Sequence, residues 1–129
     1  MEQYAIDNIR NVVMLSHSGA GKTTLGEIML FSTSAITRLG RVEEGTTTSA
    51  YHPESLKRRI SLNLSMLPYA WEKVKVNLID TPGYADFIGD VRAAIRVVEG
   101  AVIVVCAASG CEVGTEQVWE YTEDSKLPR

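Results

Sequence analysis

Apolar and polar positions along the chain follow two periods, and the changes of period mark the elements. Asn11 to Ser16 (NVVMLS) is a short apolar run ending in small and Gly residues, the pattern of a buried strand that stops at a tight turn. Beyond that turn Leu25, Ile28 and Met29 recur at i, i+3 and i+4, which predicts the inner face of a helix starting near Lys22. Residues 34–59 show no clean period, with Gly40, Gly45, Thr46, Thr47 and Thr48 among charges, so a long functional or disordered loop is expected there. Period two then places Ile60, Leu62, Leu64 and Met66 on one face, and Val74, Val76 and Leu78 against Lys73, Lys75 and Asn77, which predicts a connected antiparallel pair. Phe87, Val91, Ala94, Ile95 and Val98 trace a second helical stripe that Gly100 is expected to end by taking a positive φ. Ala101 to Ala107 reads as a strand covered on both faces, and Val118, Tyr121 and Thr122 as the face of a last helix. Strands alternating with helices predict an α/β fold, a three-layer sandwich whose mostly parallel sheet carries one antiparallel pair.

Composition narrows the function without changing that picture. The 129 residues correspond to one domain, 45% hydrophobic and 22% charged, which is globular rather than disordered. Thirteen Lys and Arg against sixteen Asp and Glu leave a net charge of −3, so the broad basic field that sequence-independent nucleic-acid binding needs is absent. The longest apolar run, Ala101 to Ala108, falls short of the roughly 18 residues of a membrane-spanning helix, and no membrane partner is expected. The opening residues carry no apolar signal segment. Cys106 and Cys111 make neither a disulfide framework nor a metal-binding quartet, which points to a reducing cytoplasm, with Cys106 expected as a buried thiol on its strand.

Two short motifs carry chemistry. Ser16-His17-Ser18-Gly19-Ala20-Gly21-Lys22-Thr23 fits the phosphate-loop pattern G-x-x-x-x-G-K-[ST] at every specified position except the first. It lies between a predicted strand and a predicted helix, where backbone N–H groups and the helix N-terminus converge on phosphate oxygens. Lys22 would reach the β- and γ-phosphates and the Thr23 hydroxyl would ligate Mg²⁺. Asp80-Thr81-Pro82-Gly83 follows the predicted strand ending Val76-Asn77-Leu78-Ile79 and sets a carboxylate at a strand terminus, the place from which P-loop enzymes orient the metal through water. Taken singly, the first motif reads also as an ordinary turn into a helix and the second as a Pro-Gly turn. Together in one domain they support each other.

With those residues the chain resembles the N-terminal part of the GTP-binding domain of translational GTPases of the elongation factor G-like kind. The likeness runs through HSGAGKTTL at 17–25, EEGTTTSAYHPESLKRRIS at 43–61, DTPGYADF at 80–87 and EVGTEQVW at 112–119. The resemblance implies a phosphate loop at 16–23, a first switch at about 34–61 and a second at about 80–90. It implies GTP or GDP with Mg²⁺ as ligands, the ribosome as partner of the full-length protein, and nucleotide contacts from His17, Ser18, Gly19, Ala20, Gly21, Lys22, Thr23, Thr24, Asp80 and Gly83. Thr23, Ser61 and, through water, Asp80 would hold the metal; Lys22, Gly83 and Tyr84 would act in hydrolysis. Gly83 suits its part because, lacking a side chain, its N–H can approach a γ-phosphate closely.

The chain departs from the family pattern at three of these positions. Gly19 stands where most relatives carry Asp, and Ser16 where they carry Gly, so Ser16 is expected to tolerate a torsion that Gly takes more easily. Tyr84 replaces the His that positions the attacking water; a phenol with pKa near 10 is a poor base, so slow intrinsic hydrolysis is expected. A binding module with little hydrolysis therefore remains an alternative, and the phosphate loop by itself also permits an ATPase or kinase. His17 and His52 are expected to be held by backbone contacts and exposed, respectively, and Lys57-Arg58-Arg59 reads equally as a solvated face or a contact to phosphate or ribosomal RNA. The guanine-reading Asn-Lys-x-Asp motif does not occur in the chain, which is therefore expected to be a truncated domain that self-associates through its strand at 101–107.

Overall fold

The computed structural model describes residues 3–50, 63–83 and 88–129. Ser61, Tyr84, Phe87, His52 and the Lys57-Arg58-Arg59 cluster fall outside the described residues. The main elements are β1 (Ile9–Leu15), α1 (Lys22–Ser32), β2 (Ser65–Trp71), β3 (Val74–Asp80), α2 (Ile88–Ile95), β4 (Gly100–Ile103) and α3 (Val113–Asp124). The strands form one sheet in the order β2-β3-β1-β4, in which β1 runs parallel to β3 and β4 while β2 and β3 are an antiparallel pair. The mixed sheet expected from the sequence is present.

Alternation along β1 divides the molecule into layers. Met14 packs with Leu30, Leu67 and Leu78 on the α1 side, and Val13 and Leu15 pack with Val91, Ala94, Ile95, Ala101, Val118 and Leu127 on the side of α2 and α3. Full burial of a Leu or Val side chain contributes about 1.5–3 kcal/mol, so this two-sided strand is the main anchor of the site that its C-terminal end carries.

Several expected faces are displaced, each for a physical reason. Ile28 is exposed at 43%, and the inward face of α1 is instead Gly26, Glu27 and Leu30, flanked by partly buried Leu25 and Met29. Gly26 lets the helix settle onto the sheet: a Cβ there would lie 2.7 Å from Leu67 Cδ1 and 3.0 Å from Met14 Cε. Gly26→Val is accordingly expected to lower the unfolding free energy by about 1–3 kcal/mol through overpacking, read as a shifted urea midpoint with an unchanged slope. In β2 the covered residues are Ser65 and Leu67, while Met66 is 64% exposed. The strand lies at the sheet edge, where α1 covers one face and, among the described residues of the opposite set, Leu64 reaches the layer of α2 and α3. Pro68, which has no N–H for a ladder, fits such an edge.

Gly100 opens β4 with no positive φ, and α2 ends in a tightened turn in which Arg96 N–H donates to Ala93 O and Val97 N–H to Ala94 O. The strand expected over 101–107 is only four residues long, although Val104 N–H still donates to Leu15 O at 2.9 Å. Val102 is 38% exposed, so β4 is not covered on both faces. Cys106 lies beyond the strand, in a turn closed by its bridge to Gly110, and is half-buried rather than buried. Hydrogen bonds from Ser109 and Ala108 pull its thiol below the usual range. Among the described residues no helix is long and apolar enough to cross a membrane.

Candidate functional site

The parallel register of β1 and β3 pairs Met14 with Asp80, so the two strands end level and the loops leaving them start side by side. From β1 the chain turns through Ser16–Gly21 into α1, with Gly19 at φ 81° and Gly21, the N-cap of α1, at φ 94°. Nothing lies within 4 Å of a Cβ built at either glycine; the left-handed torsions, not crowding, call for Gly. Gly19 therefore fits a position where a side chain would be strained. Ser16 is buried and has no positive φ, so the torsional difficulty expected of it does not arise.

Lys22, on the first turn of α1, folds back over this loop. Its Nζ donates to His17 O at 2.8 Å and to Ser16 O at 3.4 Å, and the residue is 6% exposed. Burial pushes the ammonium below its usual pKa, against the opposing pull of the Asp80 charge. A desolvated cation at a helix N-terminus, beside the backbone amides of the loop, is a receptor for an anion.

Asp80 is fully buried at the end of β3. Thr23 Oγ1 donates to its Oδ2 at 2.6 Å, across 57 residues of sequence. Its other oxygen, Oδ1, is buried with no hydrogen-bond partner among the described residues. Burial pushes the carboxyl above the usual carboxylate range, while the Thr23 hydroxyl and the Lys22 ammonium pull it down. Thr81 fixes the exit of β3 by donating from Oγ1 to Met14 O at 2.7 Å. Gly83 follows Pro82 directly onto the loop, and a Cβ at Gly83 would lie 2.7 Å from Lys22 Nζ and from both Cα and N of Ser18. Gly83 thus approaches the phosphate loop itself closely.

Of the residues expected to form one site, Ser18, Lys22, Thr23, Asp80 and Gly83 are brought together. Ala20 lies in the same loop, and Thr24 is exposed on the first turn of α1. The His17 ring is held by side chains rather than by backbone: Nδ1 lies 2.8 Å from Thr115 Oγ1 and Nε2 lies 3.4 Å from Glu112 Oε1, both at the start of α3. Gly114 permits this, since a Cβ there would come 3.1 Å from His17 Cα and Cβ. A cleft of about 300 Å³ between these parts is lined by Ser18, Gly83, Ile88, Val91, Val113 and Gln117, among others. Sequence reasoning had no local signal for the partners of His17. It also missed Glu27, a buried acid one helical turn beyond Thr23 that was detectable as a charge set among the apolar residues of α1.

The family described as the elongation factor Tu GTP binding domain matches residues 7–129. An elongation factor G-like protein of Mycobacterium tuberculosis (strain CDC 1551 / Oshkosh) is 39% identical over 121 residues, covering 94% of this chain and 17% of that protein. A mitochondrial ribosome-releasing factor 2 of Candida dubliniensis is 38% identical over 130 residues, covering 97% of this chain and 16% of that protein. A crystal structure from Thermus thermophilus superposes with a TM-score of 0.91 at 44% identity, over 94% of this chain and 18% of that one. The chain thus spans less than a fifth of the length of these relatives. Matched by that family almost from end to end, and folded like the Thermus protein, the chain belongs to the elongation factor Tu GTP-binding domain family and within it is similar to elongation factor G-like translational GTPases.

Proposed function

We propose that the chain is the phosphate-binding part of a longer elongation factor G-like protein that binds GTP and GDP with Mg²⁺, hydrolyses GTP and acts on the ribosome in the cytoplasm, the chain alone being weakly active or inactive. The observation that carries this reading is the meeting of Thr23 Oγ1 with Asp80 Oδ2 beside the buried Lys22 ammonium. In it the loop amides, the α1 N-terminus and Lys22 hold the phosphate tail, with His17, Ser18, Gly19, Ala20, Gly21 and Thr24 completing the cradle.

Mg²⁺ fits the donor set. It prefers oxygen ligands and retains several waters, and Asp80 Oδ1 is a buried carboxylate oxygen without a partner among the described residues, next to a hydroxyl. Thr23 and Ser61 would hold the ion, with Asp80 oriented toward it through water. Bound there, it would neutralise charge on the phosphate oxygens. Lys22 stabilises negative charge on the β- and γ-phosphates, and Gly83, by its place on the loop, offers its N–H to the γ-phosphate. Tyr84 orients the attacking water by hydrogen bonding, with little capacity to remove its proton. The ribosome enters through the relatives, one of which carries ribosome release in its name.

Titration of that longer protein, extending past residue 129, with fluorescent GDP and a GTP analogue, with and without Mg²⁺ and in competition with ATP, tests the reading. Guanine nucleotide is expected to win, and Asp80→Asn is expected to abolish most of the gain that Mg²⁺ gives, at least about tenfold. A preference for ATP would replace the GTPase by a P-loop ATPase or kinase. Single-turnover hydrolysis with and without ribosomes separates the enzyme from a module that binds without turning over: stimulation supports the first, and its absence the second.

A further inference from the structure

Asn11 is a polar residue set in the central strand, and the nucleotide chemistry above does not use it. It stands opposite Asn77 in the parallel ladder of β1 and β3, three pairs before Met14 meets Asp80. Asn77 Nδ2 donates to Asn11 Oδ1 at 2.9 Å, and Asn11 Nδ2 donates to Glu99 Oε1 at 3.0 Å. The main chain joins the same cluster: Asn11 N–H donates to Glu99 Oε2, and Glu99 N–H donates to Asn11 O at 2.9 Å. Glu99 directly precedes β4, so Asn11 is clasped from both sides of its strand.

The pairs beyond Asn11 carry little information about register. Val12 faces Leu78 and Val13 faces Ile79, and both faces of β1 pack into apolar layers. Alternation therefore does not select one register as it does in a strand with one wet face. Sliding β3 by two residues would set Val76 opposite Val12, Leu78 opposite Met14 and Ile79 opposite Leu15, aliphatic on aliphatic with each side chain on its own face. The same slide would carry Asp80 roughly 7 Å along the strand, away from its meeting with Thr23. It would also part the two amides, leaving half-buried Asn77 against Val13 and half-buried Asn11 against Lys75. An amide deprived of its partner in such a place opposes the slide.

We propose that Asn11 is a positioning residue: with Asn77 and Glu99 it fixes the register of β1 against β3 and thereby sets Asp80 level with Thr23. A single polar amide among apolar positions fixes register in the same way in coiled coils, at a cost in stability. Thr81 Oγ1, donating to Met14 O, closes the far end of the aliphatic stretch, and the clasp at Asn11 closes the near end. Glu99 lies at the surface, so its bonds orient the Asn11 amide more than they stabilise the sheet. The placement of Asp80 is a property of the free protein; only its effect on nucleotide rests on the proposed function.

Two-dimensional amide spectra of the whole chain, with interstrand nuclear Overhauser contacts, read the register directly. One set of β1 and β3 resonances is expected for the wild type, with contacts between Val12 and Leu78. Asn11→Val and Asn77→Val remove the amide pair while favouring strand. Each is expected to show a second set of at least about a tenth of the intensity, with contacts moved to Val12 and Val76. A residue that only stabilised the sheet would shift the urea midpoint and leave one set. Exchanging amide and acid, Asn11→Asp with Glu99→Gln, keeps an acceptor for Asn77 Nδ2 and a bond between positions 11 and 99, and is expected to restore a single set. A single set in both valine variants, or unfolding without a second set, would overturn the proposal. A second set in the exchanged pair would overturn its assignment to these hydrogen bonds. In the longer protein Asn11→Val is further expected to lower the number of fluorescent GDP sites per molecule in proportion to the second set, with unchanged affinity at the sites that remain. A full number of sites despite a second set would overturn the link to Asp80. Absence of GDP binding in the wild type would count against the proposed function, and the amide spectra would still decide on Asn11.

Discussion

Lys22→Met is expected to weaken GDP and GTP binding by about two to three orders of magnitude while leaving a folded protein. The ammonium is buried, held by the carbonyls of Ser16 and His17, and depressed in pKa by desolvation. A phosphate would supply the negative charge that burial has left largely uncompensated, so the ammonium interacts far more strongly in the bound state than in the free one. Methionine keeps most of the packing volume and removes the charge. Circular dichroism checks the fold and titration with fluorescent GDP gives the affinity. Retention of affinity within about threefold would show that the loop amides alone carry the anion.

Gly83→Ala is expected to act on the other side of the phosphate, with a different signature. A methyl group there must displace the backbone of Ser18 or the Lys22 Nζ, each 2.7 Å away. The segment Thr81–Gly83 is tethered to β1 through the Thr81 hydroxyl, so the strain falls on the approach of Gly83 to the loop. Hydrolysis is expected to fall at least about tenfold and the preference for a GTP analogue over GDP to shrink, with GDP affinity changed by less than about threefold. An equal loss of GDP and GTP affinity would instead mean that the substitution had deformed the whole loop.

What the sequence made legible is local. The loop from Ser16 to Thr23 and the acid at Asp80 each occupy a strand end, where an apolar run gives way to Gly, Pro and charge within a few residues, and the structure brings them together. Strand and helix identity followed from period for the same reason. The covered face of β2 was not legible, because alternation states that two faces differ without saying which one a helix will cover; Ser65 is buried and Met66 exposed against the hydrophobic ranking. The length of β4 was misread because Val104 and Val105 prolong an apolar run past the last ladder pair. His17 with Thr115, 98 residues apart, and Glu27 with Thr48 depend on where separate segments pack, which no local pattern encodes.

Under the proposed function, the level ending of β1 and β3 would also make nucleotide binding a proofreader of folding. Shifting that pairing by one residue would turn the aspartate to the far side of the sheet. A molecule with such an error would lose its ligand, while correctly zipped molecules would be retained and further stabilised by every molecule of ligand they capture.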